Sequence, residues 1–268
     1  MSLRAPETHT SASGSGQSLR DCGVLFDDLD VAAAPRELIA LGGVLDPPTL
    51  RAAYRNGVFP WPPSQDHAVT HERSVRRLAR KGAVPVLPGT PEGPLVPWVS
   101  PHPRAVLLTH RLAVPRSLRQ LIRRKGWETT VDAAFEQVLA RCADRSEGTW
   151  ITADMKRAYL GLHEQGGAHS LEVWEGDRMV GGLYGVLTGR VFSGESMFFL
   201  ESGASKVAVV DLCHRLVEAD VPILDTQQES EHLVAMGQVL VHRKEYVETV
   251  RALRDQPAVL PRERRLLV

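Results

Sequence analysis

The chain has 268 residues, 43% of them hydrophobic and 24% charged, a globular composition with room for one large domain or two modest ones. Its 32 basic and 32 acidic side chains cancel, which excludes a global field drawing it to nucleic acid or to a membrane surface and leaves any RNA contact to local patches. No segment approaches the ~18 consecutive apolar residues of a membrane span. Cys22, Cys142 and Cys213 lack metal-ligand spacing, so disulfides and structural zinc are not expected, and a cytoplasmic location is.

Residues 1–17 are rich in Ser, Gly and Thr without the apolar run of a signal peptide, and predict a disordered tail over residues 1–23. A first helix is signalled after Asp46: the carboxylate as N-cap, Pro47 at the first helical position, and Gly57 as a left-handed stop. Between residues 62 and 97 prolines and glycines recur around Arg76, Arg77, Arg80 and Lys81, which reads as a long exposed excursion. Helices are predicted over 115–125 and 131–143. The first sets Arg116, Arg119 and Arg123 along one face, with Arg124 beside them and Leu118, Leu121 and Ile122 opposite. Such a stripe is either a solvated face or a surface that meets RNA phosphates without reading sequence.

The second half changes rhythm. A helix over 153–165, capped by Thr152, stops at Gly166-Gly167, and strands over 169–174, 178–187 and 190–193 form an antiparallel meander. A helix over 204–219, a strand over 221–224, a helix over 231–236, a strand over 238–241 and a helix over 244–253 follow, with a basic C-terminal tail over 255–268. That order is the order of an α+β acyltransferase core with a splayed sheet. The sharpest polar clusters are Gly194-Glu195-Ser196-Met197-Phe198 and Leu224-Asp225-Thr226-Gln227, each placed after a strand. Carboxylates and an amide beside apolar side chains suit a site that grips an apolar group while handling an amine and an ester; the plainer reading is that Glu195 and Asp225 cap helices or pair with arginines.

Leu41-Gly42-Gly43-Val44-Leu45, Ala53-Tyr54-Arg55-Asn56-Gly57-Val58-Phe59-Pro60-Trp61 and Trp98-Val99-Ser100-Pro101-His102-Pro103-Arg104 resemble, in order, the N-terminal motifs of the leucyl/phenylalanyl-tRNA–protein transferases. Gly148-Thr149-Trp150-Ile151-Thr152, Gly181-Gly182-Leu183-Tyr184-Gly185, Gly194 to Phe198, Ala204-Ser205-Lys206 and Asp225-Thr226-Gln227 are similar to those of its catalytic domain, so the resemblance spans about residues 24–253. It implies a small N-terminal α/β domain over 24–110 with an insertion at 62–97. It also implies a GNAT-type acyltransferase domain over 111–254 with a mixed, largely antiparallel sheet, working without acetyl-CoA, metal or other cofactor. The donor would be leucyl-, phenylalanyl- or methionyl-tRNA, the acceptor a protein beginning with Arg or Lys, the product a destabilised N-terminus, and the enzyme a monomer without a membrane partner.

By the same resemblance Asp225 polarises Gln227 or the amine, Gln227 holds the attacking nitrogen, and Glu195 orients substrate. Met197, Phe198, Leu224 and Ser230 contact substrate, and Trp61 and Trp150 lie against the terminal adenosine. Arg76, Arg77, Arg116, Arg119, Arg123 and Arg124 are the expected tRNA contacts. The chain departs from the family pattern in the long connection from Trp61 to Trp98, in Val99 where a Trp is common, in Thr226 for a Cys and in Ser230 for an Asn, positions that bear on donor docking and acceptor choice. Two rivals remain open: an acyl-CoA-dependent GNAT enzyme, although Gly203 alone stands where a pyrophosphate loop needs several glycines, and a non-catalytic tRNA-binding protein.

Overall fold

In the computed structural model, which describes residues 26–63, 68–144 and 148–267, the Asp46 carboxylate accepts the Thr49 amide at 2.9 Å and starts helix α1 (Pro47–Tyr54). The chain then reverses at Gly57, φ +72°. Around α1 lies a four-stranded sheet of order β2-β4-β1-β3, built from β1 (Leu38–Gly42), β2 (Phe59–Pro60), β3 (Val86–Leu87) and β4 (Pro97–Val99). Only β1 and β3 in it are parallel. The predicted tail over residues 1–23, with Cys22, lies outside the described residues.

The expected bare excursion over 62–97 is instead partly folded. Helix α2 (Ala68–Arg80) and strand β3 interrupt it, and Val75 and Val84 are buried against Leu41, with Leu78 and Ala79 beside them. Val75, Leu78 and Ala79 stand at i, i+3 and i+4, a helical apolar stripe that the surrounding prolines and charges obscure.

The larger sheet has eight strands in the order β11-β5-β10-β9-β8-β7-β6-β12. They are β5 (Arg104–Leu108), β6 (Glu128–Val131), β7 (Ala168–Glu175), β8 (Arg178–Thr188), β9 (Val191–Phe199), β10 (Ile223–Gln227), β11 (Val239–Val241) and β12 (Arg265–Leu266). Every neighbouring pair is antiparallel except β9 and β10. Val131, expected to open a helix, instead ends the strand β6 with the β-branched Thr129 and Thr130 before it, and the helix, α4 (Phe135–Ala143), begins only at Phe135. The third meander strand, expected to stop at residue 193, runs to Phe199, so Glu195, Met197 and Phe198 stand inside a strand.

Helices cover both faces of this sheet. Leu183 and Tyr184, neighbours on β8, enter different apolar clusters because successive side chains point to opposite sides. On the Tyr184 side lie Val138 and Leu139 of α4 with Met155, Tyr159 and Leu162 of α5 (Ala153–Glu164). On the Leu183 side lie Leu118 and Ile122 of α3 (Arg116–Lys125) with Val207, Leu212 and Leu216 of α6 (Ala204–Glu218). Helices α7 (Glu231–Val234) and α8 (Arg243–Leu253) complete the chain order. Among the described residues no helix is long and apolar enough to cross a membrane.

Candidate active site

The two polar clusters meet where β9 and β10 part. Their parallel pairing runs from Ile223 opposite Val191 to Asp225 opposite Ser193. Just beyond, each strand carries one extra residue. On β9, Ser196 faces Tyr184 and Gly194 faces Gly185, leaving Glu195 unpaired; on β10, Asp225 faces Val106 and Gln227 faces Ala105, leaving Thr226 unpaired. A bulge re-aims the side chain it carries and bends its strand, and Gln227 itself adopts φ +64°, uncommon for a residue other than glycine. A pocket of about 390 Å³ opens at this point. Trp61, Trp150, Leu183, Met197 and Leu224 give it apolar walls, and Glu195, Gln227 and Ser230 give it polar ones.

Glu195 is 8% exposed. Its Oε1 accepts the Gln227 amide at 2.7 Å and its Oε2 accepts the Tyr159 hydroxyl at 2.9 Å. Tyr159 and Tyr54 hydroxyls are 2.6 Å apart behind it. Burial pushes the Glu195 carboxyl up to about 7, against the lowering pull of its tyrosine and amide donors. The Tyr54 and Tyr159 hydroxyls are held far above their ordinary value by burial and by the neighbouring Glu195 charge.

Asp225 pairs with an arginine, the plainer of the two readings its sequence allows. It is fully buried and is not part of the pocket wall. Arg104 grips it with two hydrogen bonds, Nε to Oδ1 at 2.8 Å and Nη2 to Oδ2 at 2.7 Å, while the Tyr246 hydroxyl donates to Oδ2 at 2.7 Å and the Ser193 hydroxyl at 3.2 Å. The Asp225 Oδ1 also accepts the Gln227 backbone amide at 3.0 Å, which stabilises the left-handed turn at that residue. Arg104 donates to the Gly57 carbonyl and lies 5.0 Å from the Phe59 ring centroid and 4.4 Å from that of Tyr246. Asp225 thus links Arg104 and Tyr246 to the backbone of Gln227.

Sequence reasoning assigned no role to Arg104, Tyr54, Tyr159, Ser193 or Tyr246. A signal for Arg104 exists: an arginine opening the apolar run Ala105-Val106-Leu107-Leu108 must find a buried anion. Phe198 is turned away from the pocket and faces a second cavity. Ser230 lines the pocket at the start of α7, and Gln238 fixes this stretch by accepting the Ser230 amide at 2.9 Å and donating to the Thr226 hydroxyl at 2.6 Å. Arg76 is engaged by Glu72 and by the Gly93 carbonyl, whereas Arg77 is exposed. Arg116, Arg119, Arg123 and Arg124 are exposed on α3 and make no ion pair with a described residue. No cluster of His, Cys, Asp and Glu suited to a metal ion occurs among the described residues.

The chain matches the family described as leucyl/phenylalanyl-tRNA protein transferase over residues 106–251, and the N-terminal domain of the same family over residues 43–69. It is 38% identical over 226 residues to the leucyl/phenylalanyl-tRNA–protein transferase of Shewanella baltica (strain OS185), covering 83% of this chain and 84% of that one. The protein of the same description from Shewanella piezotolerans (strain WP3 / JCM 13877) is 38% identical over 224 residues, 82% of this chain and 83% of that one.

Proposed function

The chain belongs to the leucyl/phenylalanyl-tRNA–protein transferase family, and from that premise we propose how its pocket moves an aminoacyl group from tRNA to the N-terminus of a protein. The observation that carries the reading is the contact of Gln227 with Glu195, 2.7 Å across a pocket whose other walls are apolar. Met197, Leu183 and Leu224 receive the donor's side chain. A thioether wall repacks around Leu, Phe or Met, while branching at Cβ collides close to the reacting carbonyl. Trp61 and Trp150 offer indole faces to the terminal adenosine.

The donor ester is already activated, so the principal task is to hold it against the acceptor amine, an orientation effect worth up to about 7 to 11 kcal/mol. Gln227 gives its amide N–H to Glu195, which leaves its carbonyl oxygen to accept a hydrogen bond from the attacking α-amine. A free α-amine titrates near ~8, so about a tenth is neutral at pH 7 without a strong base. The nitrogen forms a bond to the carbonyl carbon, the bond from that carbon to the ribose oxygen breaks, and the proton shed by nitrogen ends on the ribose hydroxyl. The exposed Glu229 on the pocket wall is placed to meet the cationic side chain of an N-terminal Arg or Lys. The product carries an apolar N-terminus and is directed to degradation.

In this reading the small sheet with α1 docks the donor end, and the eight-stranded sheet is a GNAT-type acyltransferase core, a view supported by the parting of the parallel strands β9 and β10 around the substrate. The test is transfer of labelled phenylalanine from charged tRNA to a protein beginning with Arg. Gln227→Ala should lower kcat by about a hundred-fold with little change in KM. A variant as fast as the parent would remove Gln227 from the mechanism, and no transfer by the parent chain would overturn the reading altogether.

A further inference from the structure

The connection from Trp61 to Trp98 falls largely between the two stretches matched by the family, residues 43–69 and 106–251, and nothing in the transfer mechanism uses it. Helix α2 lies within it, seated on its apolar side: Val75 is buried with Val84 and Leu41, and Leu78 and Ala79 pack beside them. At about 100° per residue, Arg73, Arg77 and Arg80 fall within about 60° of one another on the side opposite that stripe. All three are exposed, as is Lys81 just beyond the helix, and none makes an ion pair with a described residue. Arg76, on the flank, is spent on the protein itself, paired with Glu72 and donating to the Gly93 carbonyl at 2.5 Å. Glu72 is committed as well, since it also accepts the Leu95 amide at 3.2 Å, and Glu92 lies in the loop beyond β3.

Arginines at i, i+4 and i+7 repel one another, so the stripe costs the free chain stability that a bound polyanion returns. A helix C-terminus attracts cations, which accounts for Arg80 and Lys81 but not for Arg73, well before the last turn. Three cations along about 10 Å of a helix anchored from behind suit a row of phosphates, met without reading sequence. The first residue of α2, Ala68, follows Trp61 by seven positions, a reach of at most about 24 Å. Resting on the transferase reading, which puts the terminal adenosine against Trp61, we propose that this insertion is an RNA-binding arm whose Arg73, Arg77 and Arg80 meet backbone phosphates of the donor tRNA's acceptor stem. An RNA helix whose 3′ end enters the pocket begins close to that tether, and a chain of zero net charge must concentrate its cations to hold it. In this assignment Arg76 braces the insertion and leaves the RNA to its neighbours.

The experiment compares three donors for the full chain: phenylalanyl-tRNA; a phenylalanylated minihelix that keeps only the acceptor and T arms; and phenylalanyl-adenosine, which has no stem. Arg73→Gln, Arg77→Gln and Arg80→Gln combined should lower kcat/KM about ten-fold with the tRNA and the minihelix, chiefly through KM, and leave phenylalanyl-adenosine unaffected. The slope of log K against log salt for tRNA binding should fall by about two to three. Lys at the same three positions should keep most of the activity, because a point charge also serves a phosphate. An equal loss with phenylalanyl-adenosine would mean that the substitutions disturb the fold or the pocket. Unchanged kinetics with all three donors would make the stripe an ordinary solvated face, and a loss with tRNA but not with the minihelix would put the contact elsewhere on the RNA. Each of these overturns the assignment while the transferase reading stands. Vesicles of phosphatidylglycerol serve as the competing polyanion: binding to them that the Gln variant abolishes, with its tRNA kinetics unchanged, would assign the stripe to a lipid surface and overturn its assignment to RNA. Absence of transfer from every donor by the parent chain would overturn the transferase reading itself.

Discussion

Glu195 carries opposed demands. Its carboxyl titrates at about 7 in the folded chain against an ordinary 4.5, so between those values the folded state retains a proton that the unfolded state has released. Stability from this group is complete below about pH 4.5 and is lost as pH rises through 7, a total of about 3 kcal/mol at ~1.4 kcal/mol per unit. Function runs the other way, because the Gln227 amide and the Tyr159 hydroxyl both donate to Glu195, an arrangement matched to the ionised form. Transfer should therefore rise through an apparent pKa near 7, below the ~8 of the acceptor amine, and Glu195→Gln should lose the lower inflection while keeping the amine's, run at least ten-fold slower at pH 8, and melt higher than the parent at pH 8 but not at pH 5. Rate and melting profiles of both proteins across pH 5 to 8 check it, and an unchanged lower inflection in the variant would assign the titration to another group. At this scale the sequence is informative about residue types: Glu195 and Gln227 were legible as polar groups among apolar ones, and they do share a pocket. That Asp225 pairs with an arginine was one of the readings open in the sequence, and the apolar run after Arg104 asks for a buried anion; that these two are the partners, 121 positions apart, was not legible, because strand order assembles the pair.

Helix α3 shows what periodicity reveals and what it omits. Leu118 and Ile122 turn inward as their spacing predicts, Gly126 ends the helix at φ +57°, and Arg116, Arg119 and Arg123 are left in solvent. With a formal net charge of zero on the chain, such a stripe is the kind of feature on which phosphate contacts must depend. Replacing the three arginines with Gln should leave the melting temperature nearly unchanged and reduce the slope of log K against log salt for tRNA binding by about two to three. An unaltered slope would make the stripe an ordinary solvated face. Strands were harder to read than helices. The third meander strand looked complete at residue 193 because Gly194-Glu195-Ser196 breaks the apolar run, yet that break is the β9 bulge, where the sheet gives up a paired residue to aim Glu195 into the pocket. Strand β3 was hidden for a related reason: two residues between prolines have no periodicity to detect, and only the neighbouring β1 gives them a ladder to join.

At the scale of the whole molecule, the small sheet is not an appendage. One apolar cluster runs from Phe26 and Leu50 through Tyr159 to Val250, joining α1, α5 and α8. Gly161 on α5 approaches α1 so closely that a Cβ there would lie 2.9 Å from the Pro47 ring. Arg243, at the start of α8, reaches back with its guanidinium to the carbonyls of Arg36 at 2.8 Å and Ser100 at 3.0 Å and to that of Ala34, tying both ends of the small sheet to the last helix. Pocket residues come from both sides of this junction, Trp61 from one and Gln227 from the other, so separation of the parts would abolish the site before either part unfolded. The continuous cluster predicts one cooperative thermal transition for the chain. Arg243→Met keeps the aliphatic stem but leaves one buried and two partly buried carbonyls without their donor, which should cost about 2 to 4 kcal/mol and lower the melting temperature by roughly 10 °C. Calorimetry on both proteins separates two pictures. A single lowered peak in the variant means that the junction is part of one folding unit. Two peaks, with loss of transfer tracking the first, would mean that the small sheet folds by itself and that Arg243 serves only to dock it.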